Sequence, residues 1–413
     1  MSGSKIVVIG GSHAAAQLIA SLGSAGWGGE ITLISADQRL PYHRPPLSKT
    51  YLAGSSNVDQ LLIRGQSFYE KLNVQVRLGT RATQISTAAK TVDLDDGTSL
   101  SYDKLVLTTG ATVRKIDTPG ADKGGVFYLR DLADADRIQT HLPQTRQAVV
   151  IGGGYIGLEA AASLRKLGLE VTLLEAGPRL LQRVTTERIS DFYARVHQEE
   201  GVRIMTGTTV ASIDGDHRVR SVTLTSGTVL EAQMVIVGIG VAPETDLAIK
   251  AGLRVENGVC VDEFGQTSDP DIFAAGDCTS HFSSIYGRHL RLESVQNATD
   301  QAKAVADSLL NQRKPYRALP WFWSDQYDVK LQILGLSQGY DRVVIRGETH
   351  IGRSFSAFYF LGDRLLAVDA VNRPKDFMFC RKALTEGLTA IPDLLADENT
   401  QIQEAFTTVK LTK

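Results

Sequence analysis

Residues 149–175, V-V-I-G-G-G-Y-I-G-L-E-A-A-A-S-L-R-K-L-G-L-E-V-T-L-L-E, leave fewer folds open than any other stretch of this chain. The apolar run 148–151 reads as a buried parallel strand. It feeds Gly152, Gly154 and Gly157, the full G-x-G-x-x-G spacing at a strand-to-helix turn. The first glycine permits a tight turn, the second admits a pyrophosphate to the backbone, and the third lets helix and strand pack closely. A helix over 158–166 ends at Gly168, and a second strand over 171–174 closes with Glu175. The helix N-terminus aims free N–H groups and the positive end of its dipole at the phosphates. Glu175 stands where a carboxylate takes the ribose hydroxyls. A carboxylate about 4 Å from a 2′-phosphate would cost roughly 4 kcal/mol per charge pair at an effective dielectric of about 20, so NADH is favoured over NADPH. Arg179 leaves open a phosphate-accepting alternative, against its reading as a solvated or helix-starting arginine.

A second opening of this kind stands near the N-terminus. The β-type run 5–9 meets Gly10, Gly11 and Ser12, then a helical stretch 14–25 and a strand over 31–34. Ser12 replaces the second glycine and Ala15 the third. Alanine is an accepted variant at the third position, but Ser12 puts a side chain where backbone must approach a phosphate. The nearest acid, Asp37, comes one or two places late for the ribose role.

Between the two openings lies P-Y-H-R-P-P-L-S-K, 41–49, read as a rigid polyproline-type loop that presents Arg44 and Lys49 at little entropic cost, with a surface turn as the plain alternative. Short strands over 74–77, 90–94 and 99–102 read as a β-meander, with D-D-G-T at 95–98 as a turn. A strand over 104–108 enters Thr109 and Gly110, a turn that lets backbone pass close to a ligand. P-G-A-D-K-G-G, 119–125, is linker-like and precedes a helix over 131–140. Beyond Glu175 come a helix over 187–200, strand-rich 202–230, and a run 233–237 ending in Gly238 and Gly240. T-S-D-P-D-I-F-A-A-G-D-C, 267–278, puts Asp277 at the carboxyl end of a strand over 272–275, where ligands gather in open α/β sheets. Helix capping is the other reading of Asp277, since an Ala-rich helix over 294–311 follows. From 320 the character changes: Trp321 and Trp323 stand together, strands are expected over 329–334, 342–345, 354–360 and 365–370, and helices over 377–386 and 398–406.

Lys plus Arg number 44 against 46 Asp plus Glu, so no global basic field points to nucleic acid or an anionic membrane. No apolar run approaches the roughly 18 to 20 residues of a membrane span, and the N-terminus lacks the apolar core of a signal peptide, so a cytoplasmic location is expected. Cys260, Cys278 and Cys380 are scattered, with no C-x-x-C, and each reads as a small buried apolar residue; neither a disulfide framework nor a metal site is expected.

In this order the pieces resemble the FAD-dependent NADH:ferredoxin reductases of bacterial oxygenase systems, within the glutathione-reductase-like flavoprotein superfamily. The likeness runs through V-V-I-G, R-P-P-L-S-K, V-V-I-G-G-G-Y-I-G-L-E, T-S-D-P, G-D-C, E-S-V-Q-N-A, P-W-F-W-S-D-Q and V-N-R-P, nearly the whole chain. It implies an α/β fold with two Rossmann-like nucleotide-binding domains and a C-terminal α+β domain. Residues 1–115 and 245–320 would bind FAD, 116–244 would bind NADH, and 321–413 would form the third domain. Gly10, Ser12, His13, Ala14 and Ala15 would face the FAD pyrophosphate, and Ala82 would meet the adenine. Asp277 would hold the ribityl chain, and Val295 would offer a backbone N–H to the pyrimidine edge of the flavin. Arg44 and Lys49 would lie beside the isoalloxazine, with Trp323 at the flavin edge; Asp37, Pro45, Thr109, Gly110 and Arg130 complete the FAD set. Gly152, Gly154, Tyr155, Ile156, Gly157, Glu159, Glu175, Gly238 and Gly240 would serve NADH. Lys49 and Glu159 would pair as the catalytic couple.

The reaction so implied takes a hydride from NADH onto FAD and passes single electrons to a 2Fe-2S ferredoxin that feeds a monooxygenase or dioxygenase. Disulfide reductases need two cysteines at the flavin loop and peroxidase relatives one, whereas Y-H-R-P-P-L-S-K has none. His13 and His43 read as structural. The ferredoxin would dock near Trp323 on cations drawn from Arg288, Arg291, Arg313, Lys314, Arg381 and Lys382, on a monomer or weak dimer. Two alternatives share the flavin core: a rubredoxin or monodehydroascorbate reductase, and an apoptosis-inducing-factor-like protein with a binding role.

Overall fold

The computed structural model describes residues 4–408. Internal contacts divide the chain into two compact units, the first of residues up to 44 with 57–112 and 241–320, the second of 45–56, 113–240 and 321 onward. The first is built on a five-stranded parallel sheet ordered Ile272–Ala274, Lys104–Leu107, Lys5–Ile9, Glu30–Ser35, Val74–Leu78. The central strand is apolar after its first residue because both its faces are covered. Ile6 and Val8 pack with the helices His13–Ser24 and Val295–Leu309, while Val7 and Ile9 pack under an antiparallel meander of Ala82–Ser86, Thr91–Leu94 and Ser99–Ser101.

The second unit repeats the plan. Its parallel sheet is ordered Arg203–Met205, Glu170–Leu174, Gln147–Ile151, Met234–Val237, Val126–Tyr128, and a meander of Val210–Asp214, Ser221–Leu224 and Val229–Glu231 packs on Val149, Val235 and Val237. The register matches as well: Ile9 pairs with Ile34 and Leu107, and Ile151 with Leu174 and Val237. This unit also holds an antiparallel sheet ordered Trp321–Gln326, Val329–Gly335, Arg364–Val371, Phe355–Leu361, Arg342–Gly347, followed by the helix Pro374–Thr385. The fold is thus α/β, with two Rossmann-like domains and a C-terminal α+β domain.

Four local expectations are corrected. Val74–Leu78 joins the parallel sheet beside Glu30–Ser35, and Ala82–Ser86 takes its place in the meander. The polyproline-type loop tightens into a 3-10 turn at Pro45–Ser48, where the Lys49 N–H donates to the Pro46 carbonyl. Trp321–Gln326, not anticipated as a strand, edges the C-terminal sheet. No helix forms over 398–406: a short helix at Pro392–Ala396 and a 3-10 turn at Ile402–Ala405 stand there instead. The cause is buried Arg346, whose guanidinium takes the carbonyls of Asp397, Glu398 and Thr400 that a helix would use in its own ladder.

Candidate active site

In the second unit the turn after Gln147–Ile151 is set by Gly152, at φ +112°, whose N–H donates to Leu174 O. A Cβ on Gly152 would stand 2.4 Å from Gly238 O, and one on Gly157 2.0 Å from Gly152 O, so both are glycine for packing reasons. Gly154 differs. It has an ordinary φ of −81°, and a Cβ there would meet nothing within 4 Å. Neither backbone nor packing demands glycine at 154, which leaves room for a ligand as the reason. It opens the helix Tyr155–Lys166 with no side-chain cap, so the first-turn N–H groups face that open ground uncapped. The Glu175 carboxylate is turned to this loop, accepting from Gly153 N and Gly177 N at 2.7 Å each. These residues fit a dinucleotide pyrophosphate and ribose. Gly238 borders the loop, a Cβ on it standing 3.4 Å from Gly157 N, and Gly240, at φ +98°, has Arg183 Nη2 3.9 Å from its Cβ position. Exposed Ile156 lies on the first helical turn, whereas the Tyr155 ring turns inward against Phe322, centroids 4.8 Å apart, with its hydroxyl buried.

The first unit builds the same turn with different chemistry. Gly10, at φ +108°, donates its N–H to Ile34 O, which places Ser35 where the second unit has Glu175. Ala15 is fully buried, and the Gly10 carbonyl accepts from the Thr108 hydroxyl at 2.8 Å. Ser12, a residue type that normally caps helices, makes no cap bond to the helix His13–Ser24. Its hydroxyl instead accepts from Arg44 Nε at 3.1 Å and lies 3.4 Å from His13 Nδ1. The guanidinium rides 5.6 Å above the Tyr42 ring, and the Tyr42 hydroxyl donates to Asp37 at 2.7 Å. Asp37, the late acid, therefore anchors the loop that carries Arg44. An uncapped helix start flanked by a fixed arginine fits the FAD pyrophosphate.

Asp277 sits on a turn at Gly276, φ +90°, beyond the strand Ile272–Ala274. Buried Gln301 locks the turn, its Oε1 accepting from Gly276 N at 2.7 Å and Thr279 Oγ1 at 2.9 Å. Val295 is the first residue of the helix Val295–Leu309, where the Ser294 hydroxyl caps Asn297 N at 3.1 Å. Gly110, at φ +71°, follows Thr109, whose hydroxyl donates to Glu244 O at 2.8 Å. Ala82 opens its meander strand opposite Leu94, and Arg130 belongs to the second unit, its N–H held by Asp134 at 2.8 Å.

Lys49 and Glu159, both in the second unit, form an ion pair at 2.6 Å. Glu159 is only 3% exposed, so its oxygens must be satisfied within the protein. The Ser48 hydroxyl donates to Oε2 at 2.6 Å and the Ser324 hydroxyl to Oε1 at 2.7 Å. Ser163 Oγ donates to Ser48 O at 2.6 Å, fixing the 3-10 turn to the helix Tyr155–Lys166, and Lys49 Nζ also reaches Pro45 O at 3.2 Å. Ser48 and Ser324, which satisfy the two Glu159 oxygens, are residues that sequence reasoning did not single out.

Trp323 and Trp321 line a shallow cleft with Lys330, Asn372 and Pro374, their rings 5.7 Å apart, and Arg381 lies 5.5 Å over Trp321. The other cations named for docking are largely engaged: Arg291 with Glu293, Arg313 with Asp262, Lys314 with Asp307 and Lys382 with Glu386. Cys260, Cys278 and Cys380 are buried and unpaired. Among the described residues no cluster suits a metal ion, and no helix is long and apolar enough to cross a membrane.

Two family descriptions match the chain: pyridine nucleotide-disulphide oxidoreductase over residues 4–302, and reductase C-terminal over 321–406. The chain is 42% identical over 411 residues to putidaredoxin reductase of Pseudomonas putida, covering 98% of this chain and 97% of that protein. It is 41% identical over 402 residues to rhodocoxin reductase of Rhodococcus erythropolis, covering 97% and 94%. The reductase in the crystal structure of the covalent putidaredoxin reductase–putidaredoxin complex matches it with a TM-score of 0.95 at 42% identity, over 98% of both chains.

Proposed function

This chain belongs to the pyridine nucleotide-disulphide oxidoreductase family, and we propose that it is the NADH:ferredoxin reductase of an oxygenase system. The Lys49–Glu159 pair carries this reading. In a family named for disulphide chemistry, the R-P-P-L-S-K turn presents a cation held by a carboxylate, and the three cysteines are buried singly elsewhere. FAD, when bound, supplies the conversion of a two-electron hydride from NADH into single electrons.

The chain's own residues bind and orient. Residues 1–115 with 245–320 hold FAD, 116–244 hold NADH, and 321–413 form the third domain. Gly152, Gly154, Gly157 and the uncapped helix start receive the NADH pyrophosphate, and Glu175 takes the ribose. Gly10, Ser12 and Arg44 receive the FAD pyrophosphate, Asp277 the ribityl chain, and Val295 N–H the flavin ring. Lys49, fixed by Glu159, is the cation assigned to the flavin. The acceptor is a 2Fe-2S ferredoxin docking near Trp323 and feeding a monooxygenase or dioxygenase. The protein works in the cytoplasm as a monomer or weak dimer.

A stopped-flow mix with NADH tests this reading. Fast flavin reduction, with turnover only when a 2Fe-2S ferredoxin is added, is the expected result. Slow reduction with a long-lived charge-transfer complex would point instead to a mainly binding role.

A further inference from the structure

We propose that Ser324, Gln326 and His197 are positioning residues for the Lys49–Glu159 pair, acting through a buried hydrogen-bond chain in which every donor points toward Glu159. The inference rests on the assignment of that pair to the flavin. Its members come from three elements of the second unit: Glu159 from the helix Tyr155–Lys166, Ser324 and Gln326 from the strand Trp321–Gln326, and His197 from the helix Glu187–Glu199. Ser324 and His197 are fully buried and Gln326 is 1% exposed, so none has water to fall back on.

The direction of the chain follows from donor chemistry. A carboxylate only accepts, so Ser324 commits its one proton to Glu159 Oε1 at 2.7 Å. Its oxygen is then left to accept, and Gln326 Nε2 donates to it at 3.1 Å. That fixes the Gln326 amide with its oxygen outward, 2.8 Å from His197 Nε2, which therefore carries the imidazole proton. His197 Nδ1, 3.4 Å from the Tyr327 hydroxyl, is left as the acceptor. Burial lowers the His197 pKa to about 4, so the ring is neutral at working pH and the tautomer matters.

Without the His197 N–H, Gln326 is free to turn its oxygen to Ser324. The serine proton then leaves Glu159, and a buried carboxylate oxygen loses its donor. A change more than two residues removed along the chain thereby reaches Lys49.

The test uses the FAD-loaded protein and three readouts: the rate of flavin reduction by NADH, the NADH dissociation constant, and the midpoint potential of bound FAD. Ser324→Ala is expected to slow reduction roughly tenfold and shift the potential, with NADH binding unchanged. Gln326→Leu and His197→Leu are expected to act in the same direction by roughly threefold. His197→Gln, which can return an amide N–H to Gln326, should restore the wild-type rate and potential. The decisive measurement is the double variant. Once the Ser324 hydroxyl is gone the chain has nothing to transmit, so adding His197→Leu to Ser324→Ala should change neither rate nor potential further. Full additivity of the two losses would overturn the proposal, because it marks His197 as ordinary packing. Should His197→Leu fail to fold, Gln326→Leu in the Ser324→Ala background makes the same comparison. Glu159→Gln separates the two levels: if it shifts rate and potential while the Ser324, Gln326 and His197 variants do not, the chain fails alone. If Glu159→Gln changes nothing, the pair's assignment to the flavin falls with it.

Discussion

The two glycines Gly154 and Gly157 separate what the fold demands from what a ligand demands. A Cβ on Gly157 would stand 2.0 Å from the Gly152 carbonyl, so Gly157→Ala is expected to destabilise the apoprotein by roughly 1–3 kcal/mol, read as a lowered Tm. At Gly154 the backbone is ordinary and the space open, so Gly154→Ala should leave the apoprotein Tm unchanged or slightly raised, by the roughly 0.4–1 kcal/mol that a less flexible unfolded chain provides. If the pyrophosphate binds at this turn as proposed, the same methyl would stand in its path, so KM for NADH should rise by roughly tenfold or more. Normal NADH kinetics in Gly154→Ala would remove this turn from the nucleotide site. Glu175 tests the other end of the cofactor: Glu175→Ala is expected to narrow the preference for NADH over NADPH, and an unchanged ratio of kcat/KM values would sink that assignment. Ser12, the counterpart of Gly154, departs from glycine without filling the helix start, because Arg44 draws its hydroxyl aside.

Between elements, the turn bearing Asp277 depends on one side chain of the helix Val295–Leu309. Gln301→Leu keeps the volume but strands the Gly276 N–H, at about 1–3 kcal/mol for a buried group, while the Thr279 hydroxyl keeps the Gly276 carbonyl as its acceptor at 2.8 Å. The expected outcome is a lower Tm and weaker FAD binding by equilibrium dialysis, with NADH-analogue binding to the second unit untouched. Wild-type FAD affinity would show that this turn does not hold the flavin. The central parallel strands were legible in the sequence because each is an apolar run punctuated by glycine, as in 5–9 and 148–151, whereas the edge strand Val74–Leu78, V-Q-V-R-L, alternates and so reads as part of the meander. Trp321–Gln326 was not, because Ser324 and Gln326 on one face are buried by mutual pairing that no alternation of polar and apolar residues reveals. The missing helix over 398–406 was illegible for a related reason: Arg346, some 50 positions earlier in sequence, competes for its carbonyls. At the site, the pairing of Lys49 with Glu159 came from family resemblance rather than spacing, and Ser48 and Ser324 became visible only with their partners in place.

Across the whole molecule, net charge is −2 and most of the cations named for docking have a carboxylate within reach, so steering of an acidic partner rests on a few groups such as Arg381. The rate of ferredoxin reduction is accordingly expected to fall only a few-fold as ionic strength is raised from about 0.05 to 0.5 M, and a fall of several decades would reveal a stronger basic face. Buried titratable groups make the two units respond differently to acid. In the first, burial pulls His281 down to about 4 and also lowers His43. Unfolding returns these rings to ordinary values near 6.5, so the unfolded state takes up protons first and stability drops as pH falls from about 6.5 to 4, by roughly 3 kcal/mol for His281. In the second unit His197 is lowered to about 4 and carries a similar loss, but Asp369 runs the other way. Burial raises it to about 6, against hydrogen bonds from Tyr359 and Thr185 that lower it. The folded carboxyl keeps a proton that the unfolded one loses above about 4, so Asp369 contributes roughly 3 kcal/mol at low pH that is lost as pH rises through about 6. The two effects nearly cancel in the second unit, whereas among the described residues of the first no raised carboxyl offsets His281. Hydrogen exchange read by mass spectrometry from pH 7 to 4.5, corrected for intrinsic rates, should therefore show the first unit losing protection while the second holds. Asp369→Asn keeps acceptors for both hydroxyls without the charge, so it should stabilise the second unit near pH 7 and lose that advantage by about pH 4. An advantage undiminished at low pH would mean that the Asp369 carboxylate is not the buried charge responsible.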